Sequence, residues 1–87
     1  MNILITAANS GFGALIVSDL IKAGHQVAGS VRDPEGRNAK AAASLRDMGV
    51  HVVDIDVTDE ASVLSGVAAA EAALGQIDVL INNAGVG

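Results

Sequence analysis

The residues of this chain that could do chemistry begin with a glycine-containing segment. The segment reads TAANSGFG, from Thr6 to Gly13, and separates a short apolar run from a helical pattern. Glycines at 11 and 13 would let the backbone approach a phosphate, and the amides of Phe12 and Gly13, at the start of a helix, would point towards negative charge. We therefore predict a nucleotide-binding loop. The alternative is a tight strand-to-helix turn with no ligand.

Four apolar runs predict the strands that would position this loop. The runs are short and rich in β-branched residues, as buried parallel strands tend to be, and they cover residues 2–6, 26–31, 51–57 and 78–84. We expect the loop to follow the first of four strands.

Helical patterns fill the three gaps between these runs. In the second gap Asp33 could cap a helix that has Pro34 in its first turn and runs to about Met48. The third helix is expected to begin at Thr58 and to be closed by Gly75. The order βαβαβαβ predicts an α/β fold in three layers, an open parallel sheet with helices on both faces.

A parallel sheet would bring the polar segments to one edge. Residues 6–13, 30–32, 56–58 and 82–85 all lie at the carboxyl ends of predicted strands. Open α/β sheets bind ligands in the crevice at that edge. The convergence of four segments predicts a ligand site there.

Three of these segments resemble the motifs of the short-chain dehydrogenases and reductases. TAANSGFG looks like the family's ThrGlyxxxGlyxGly loop, DVT at 56–58 resembles its adenine-side motif, and NNAG at 82–85 matches its motif after the fourth strand. The resemblance covers residues 1–87 and implies a Rossmann-like, NAD(P)-binding portion, the N-terminal half of such a domain. Ala7 stands where the family has its first glycine, which we expect to be tolerated if φ stays negative.

The resemblance also implies the cofactor contacts. Asn9 and Ser10 would bind ribose or phosphate oxygens, Asp56 would accept from the adenine amino group, and Val57 would border the ring. Asn83 would hold the adenine-side ribose, although Asn82 and Asn83 could instead tie strand ends together. The implied cofactor-binding residues are Thr6, Ala7, Asn9, Ser10, Gly11, Phe12, Gly13, Ser30, Arg32, Asp56, Val57, Asn83, Ala84 and Gly85.

The end of the second strand indicates which cofactor is preferred. An acid that would bind the ribose 2′-hydroxyl of NAD is replaced by Val31, and Arg32 follows. With help from Ser30, Arg32 could pair with a 2′-phosphate, so we predict NADP, with NAD as the alternative. Asp33 is the competing ribose-binding acid. Arg37 is either a second phosphate partner or a solvated helix residue.

The composition of the chain limits the classes of partner that it could bind. The chain has 87 residues, 51% of them hydrophobic, no cysteine and a net charge of −5. No basic patch offsets that charge, which argues against nucleic acid, and no apolar run is long enough to span a membrane. We expect a cytoplasmic protein without a metal site, since neither His25 nor His51 has a partner at metal-ligand spacing.

The sequence offers no catalytic residue. Enzymes of the resembled family use a serine and a tyrosine with a lysine four residues on, all after NNAG, and this chain has no tyrosine. We therefore predict the cofactor-binding portion of an NADP-preferring oxidoreductase that moves hydride between cofactor and a carbonyl or alcohol. The full-length protein is expected to be a homo-oligomer. The alternative is a stand-alone nucleotide-binding or interaction module without chemistry.

Overall fold

A computed structural model describes residues 1–83 of the chain. The predicted order βαβαβαβ is confirmed. The elements are β1 (Asn2–Ile5), α1 (Gly11–Lys22), β2 (Gln26–Ser30), α2 (Ala39–Asp47), β3 (His51–Val53), α3 (Glu60–Leu74) and β4 (Val79–Ile81).

The strands form one parallel sheet in the order β3-β2-β1-β4. Ile5 of β1 pairs with Gly29 of β2 on one side and with Ile81 of β4 on the other. The chain therefore moves outwards in one direction through β2 and β3, and then returns to the other side of β1. A crevice opens beyond the carboxyl ends of the strands where the direction reverses, and ligands of open α/β sheets bind there.

Two apolar clusters cover the two faces of the sheet. On one face Val17 of α1 and Leu45 of α2 pack with Ile5. On the other face Ala70 of α3 packs with Leu4 and the residues around it. A Cβ on Gly66 of α3 would collide with the Ile55 side chain, so this glycine permits close helix-to-sheet packing. The three predicted layers are thus present.

The start of α2 differs from the prediction. The helix begins at Ala39, five residues after Pro34, and Asp33 does not cap it. Asp33 has a φ of 50°, and its carbonyl accepts from both Gly36 N and Asn38 N at 3.2 Å. These short-range bonds form turns through residues 34–38. The helix can begin only after those turns.

Two other element boundaries also move. Asp59, not Thr58, is the N-cap of α3, and its carboxylate accepts from the amides of Ala61 and Ser62. The third strand ends at Val53 rather than at Val57. The segment beyond Val53 leaves the sheet and carries Asp56 over the carboxyl edge.

Candidate functional site

An open cleft with an empty volume of about 490 Å³ lies at the carboxyl edge of the sheet. The lining side chains come from segments that follow β1, β2 and β3, and they are Ala7, Asn9, Ser30, Arg32, Arg37, Asn38, Ile55 and Val57. Five of the eight are among the predicted cofactor-binding residues: Ala7, Asn9, Ser30, Arg32 and Val57.

Ala7 adopts a left-handed backbone conformation, with a φ of 53°. The condition under which alanine was expected to be tolerated, a negative φ, is therefore not met. An alanine costs about 1 to 2 kcal/mol in this region because its Cβ approaches the following carbonyl, whereas glycine does not. The loop nevertheless keeps this turn because hydrogen bonds hold both sides of the Ala7 peptide. The Ala7 amide donates to Ser30 Oγ at 3.0 Å, and the Ala7 carbonyl accepts from Ser10 N at 3.0 Å.

Ser30, at the end of β2, forms hydrogen bonds with the loop that follows β1. Besides accepting from Ala7 through its hydroxyl, it accepts from Ala8 N through its carbonyl at 2.8 Å. The residue is 1% exposed. Its hydroxyl oxygen is thus already used in shaping the loop, although Ser30 also lines the cleft.

Two backbone amides at the N-terminus of α1 have no hydrogen-bond acceptor within residues 1–83. Ser10 is the N-cap, and its hydroxyl oxygen accepts from Gly13 N at 3.1 Å. The Gly13 amide is therefore engaged, contrary to the prediction. Within residues 1–83, no protein acceptor is found for the amides of Gly11 and Phe12. A helix start with open amides attracts anions.

The two glycines of the loop differ in what surrounds them. A Cβ on Gly13 would collide with the Ala7 carbonyl oxygen and would lie 3.0 Å from both Ala8 Cα and Asn83 Nδ2. A Cβ on Gly11 would meet no atom of the described residues within 4 Å. Gly13 is therefore required for packing of the loop on the helix. The packing of residues 1–83 does not require Gly11.

Asn82 and Asn83 tie strand ends together. Asn83 is 2% exposed, and its Nδ2 donates to Ala7 O at 3.2 Å and to Ser10 Oγ at 2.8 Å. Its buried Oδ1 has no partner among residues 1–83. Asn82 Oδ1 accepts from Thr6 Oγ1 at 3.1 Å. The Asn83 amide nitrogen is occupied by the loop, and Ala84 and Gly85 lie outside the described residues.

Asp56 carries a carboxylate over the carboxyl edge. Its Oδ1 accepts from Thr58 Oγ1 at 2.6 Å and from Thr58 N at 3.0 Å, and its Oδ2 lies 3.5 Å from Arg32 Nη2. The Thr58 hydroxyl bond and then the Thr58 amide bond lower the pKa of Asp56 below its ordinary value, and the Arg32 charge adds to them. The carboxylate is therefore ionised at neutral pH and able to accept a hydrogen bond through Oδ2.

Two arginines line the cleft. Arg32 follows β2, as expected, and its side chain is 60% exposed. Arg37 was expected on a helix, but it lies in the turns before α2 and also lines the cleft. The sequence did contain a signal for this placement, because Gly36 interrupts the helical pattern directly before Arg37.

Comparison with known proteins agrees with this geometry. A family model described as short chain dehydrogenase matches residues 1–87. The chain belongs to the short-chain dehydrogenase family. The D-threitol dehydrogenase of Mycolicibacterium smegmatis is 42% identical over 84 residues, which cover 95% of this chain and 32% of that protein.

Two solved structures of short-chain dehydrogenases are similar to this fold. A Brucella melitensis 3-ketoacyl-(acyl-carrier-protein) reductase in complex with NADH has a TM-score of 0.75 and 34% identity, covering 91% of this chain and 32% of that one. The F189W actinorhodin polyketide ketoreductase with NADPH has a TM-score of 0.79 and 32% identity, covering 93% of this chain and 31% of that one. The chain thus spans about a third of the length of its relatives, and both nicotinamide cofactors occur among them.

The described part of this short-chain dehydrogenase chain shows no other clear centre of chemistry. Residues 1–83 contain no group of three His, Cys, Asp or Glu side chains that could hold a metal ion. None of their helices is long and apolar enough to cross a membrane. His25 Nδ1 lies 3.1 Å from the N-terminal amino group of Met1. The cleft at the carboxyl edge is therefore the candidate site.

Proposed function

We propose that this chain binds a nicotinamide dinucleotide across the carboxyl edge of its sheet, as the cofactor-binding portion of an NADP-preferring oxidoreductase. Gly11 is the observation that carries the proposal. No atom of residues 1–83 occupies the space beside its Cα, and its φ needs no glycine. A bound pyrophosphate would explain why a side chain is absent there.

The pyrophosphate would lie against the start of α1. The amides of Gly11 and Phe12 would donate to its oxygens, because within residues 1–83 they have no protein acceptor. Ser10 Oγ accepts from Gly13 N and from Asn83 Nδ2, so its hydroxyl hydrogen is available for a phosphate or ribose oxygen. Thr6 and Gly13 would keep the loop in shape. The exposed Asn9 would bind the ribose.

The adenine would lie between the segments after β2 and β3. Asp56 Oδ2 could accept from the adenine amino group, since both hydrogen bonds of this carboxylate within residues 1–83 use Oδ1. Val57 is 47% exposed and lines the cleft, which suits contact with the ring. Asn83, Ala84 and Gly85 would border the adenine-side ribose, with Asn83 contributing backbone groups because its Nδ2 is engaged.

The charges of the cleft favour NADP over NAD. Arg32 and Arg37 both line it, and the position expected for a ribose-binding acid is the buried Val31. Guanidinium groups recognise phosphate, and a charge-assisted contact contributes about 1.5 to 3 kcal/mol. Because relatives with NADH and with NADPH both resemble this chain, the choice rests on these side chains.

The bound cofactor would supply the hydride that is exchanged with a carbonyl or alcohol. The residues described above would bind and orient the cofactor. The 87 residues include no tyrosine, so the catalytic acid or base would be a residue that is not among them. We place the intact protein in the cytoplasm as a homo-oligomer. A non-catalytic nucleotide-binding module is the second candidate, favoured by the same absence of tyrosine.

Calorimetric titration of the intact protein with NADPH and NADH tests this proposal. Binding of both, with NADPH the tighter, is the expected result. Tighter binding of NADH would contradict the cofactor preference, and no binding of either would contradict the site. A purified protein that binds NADPH but turns over no member of a broad carbonyl panel would favour the second candidate.

A further inference from the structure

We propose that Arg37, rather than Arg32, is the main residue that distinguishes NADP from NAD, and that Asp33 positions it. The proposal rests on the dinucleotide site proposed above. It concerns residues 32–38, which we name the arginine turn. From the sequence, Arg32 is predicted to bind the 2′-phosphate and Asp33 to cap a helix.

Asp33 organises the arginine turn with both its main chain and its side chain. Its carbonyl accepts from Gly36 N and Asn38 N, each at 3.2 Å, and its Oδ2 accepts from Arg37 N at 3.0 Å. Gly36 makes room for this arrangement, since a Cβ there would lie 2.6 Å from Asp33 Oδ2. The backbone of Arg37 is therefore fixed by one carboxylate.

Asn38 bonds the end of the arginine turn back to its first two residues. Its Nδ2 donates to the Arg32 carbonyl at 2.6 Å, and its own amide donates to Asp33. Arg32, Arg37 and Asn38 all line the cleft, whereas Asp33 does not. Both arginines of the turn thus lie at the cleft, whereas the Asp33 carboxylate bonds the backbone of the turn.

The two guanidinium groups differ in their ion pairs. Arg32 Nη2 lies 3.5 Å from Asp56 Oδ2, so its charge is partly compensated by a carboxylate. Arg46, further along, pairs with Glu35 at 2.9 Å. Among residues 1–83 no ion pair is found for Arg37. An anion that enters the cleft would therefore gain more from Arg37, which has no carboxylate to leave.

A dianionic phosphate on the adenine-side ribose is the ligand group that fits this arrangement. The arginine turn follows β2, beside the segment of Asp56 and Val57 that is proposed to bind adenine. A bare 2′-hydroxyl would find no acid on this side of the cleft, because Asp33 is not among the residues that line it. The turn would thus favour the phosphate and offer little to the hydroxyl.

The test compares adenosine 2′,5′-bisphosphate with ADP, measured by calorimetry on the intact protein. Arg37→Gln is expected to weaken the bisphosphate about tenfold to a hundredfold and ADP less than about twofold. Arg32→Gln is expected to have the smaller effect on the bisphosphate. Lys40→Gln, which removes an exposed charge from α2 outside the cleft lining, is the matched control for net charge and should change neither ligand appreciably.

A second set of variants tests positioning by Asp33. Asp33→Ala should reduce the preference for the bisphosphate, and Gly36→Ala should do the same by displacing the carboxylate. In an Arg37→Gln background Asp33→Ala should cause little further loss, which a merely structural role would not produce. Equal weakening of bisphosphate and ADP by Asp33→Ala would overturn the positioning role.

The outcomes separate this inference from the proposed function. If the unmodified protein binds the bisphosphate no better than ADP, the NADP preference is wrong and this inference falls with it. If it prefers the bisphosphate but Arg37→Gln behaves like Lys40→Gln, the preference stands and the role of Arg37 is refuted. Arg37→Lys provides a folded comparison that keeps the charge and loses the planar fork, and it should give an intermediate loss.

Discussion

The hydroxyl oxygen of Ser30 accepts the backbone amide of Ala7 at 3.0 Å, and Ala7 holds a φ of 53°. The end of β2 therefore helps to keep an alanine in a conformation that suits glycine. Asn83 supports the same turn from the end of β4 by donating to the Ala7 carbonyl at 3.2 Å. The loop retains its shape at the expense of local strain.

The strain at Ala7 predicts that Ala7→Gly stabilises the protein. Glycine removes a cost of about 1 to 2 kcal/mol in the left-handed region, and part of that gain is offset by the greater entropy of the unfolded chain. We expect a gain of about 1 kcal/mol in the free energy of unfolding by urea. Ala43→Gly, at an exposed position inside α2, is the control and should lose about 1 kcal/mol. A loss for Ala7→Gly similar to the control would contradict the left-handed turn.

Gly13→Ala is expected to destabilise the fold. The new Cβ would collide with the Ala7 carbonyl and crowd Ala8 and Asn83, and these are mostly backbone or tightly bonded atoms that cannot yield cheaply. Overpacking of this kind costs about 1 to 3 kcal/mol. Urea unfolding monitored by circular dichroism measures the loss. An unchanged midpoint would show that α1 does not pack against the loop as described.

The Asp56 carboxyl is expected to titrate below its ordinary value. Its lowered pKa means that the Thr58 bonds stabilise the folded protein above about pH 4, and that this contribution disappears as the pH falls through the lower folded-state pKa. Thr58→Val removes the hydroxyl bond, so the pKa should rise towards normal. Carbon-detected NMR titration of Asp56 follows it. The same titration midpoint in both proteins would refute the Thr58 contribution.

The order of strands and helices along the chain, and the edge of the sheet that carries the candidate site, could be predicted from the sequence. Four β-branched runs alternate with helical patterns, and parallel strands bring their carboxyl ends together whatever the details. The arginine turn could not be predicted in the same way. Asp33 and Pro34 suit a helix start locally, but the Asp33 carbonyl and carboxylate capture the amides at 36, 37 and 38 instead.

The backbone conformation of Ala7 could not be predicted from the sequence either. Its left-handed φ depends on Ser30 and Asn83, which are 23 and 76 residues away along the chain. The role of the Asn83 side chain has the same origin, since its partners Ala7 and Ser10 meet it only in the folded sheet. Local propensity describes none of these contacts.

The 87-residue chain alone is expected to show no hydride transfer. It has no tyrosine to serve as the acid or base of the family, and β4 pairs with β1 on one side within the described sheet. Leu80 of β4 is 59% exposed, so we also expect the isolated chain to self-associate. NADPH absorbance with a broad carbonyl panel, together with light scattering, measures both properties. Turnover by a monodisperse monomer would contradict this expectation.

The affinity of the intact protein for NADPH after Gly11→Ala tests the central claim most directly. Residues 1–83 leave the space beside Gly11 empty, so the added methyl should leave the free energy of unfolding unchanged or slightly higher. A pyrophosphate against that backbone would lose about one charge-assisted hydrogen bond, and we therefore predict that NADPH binds about tenfold to a hundredfold more weakly. Unchanged NADPH affinity in a folded Gly11→Ala protein would contradict the binding of a dinucleotide across this loop.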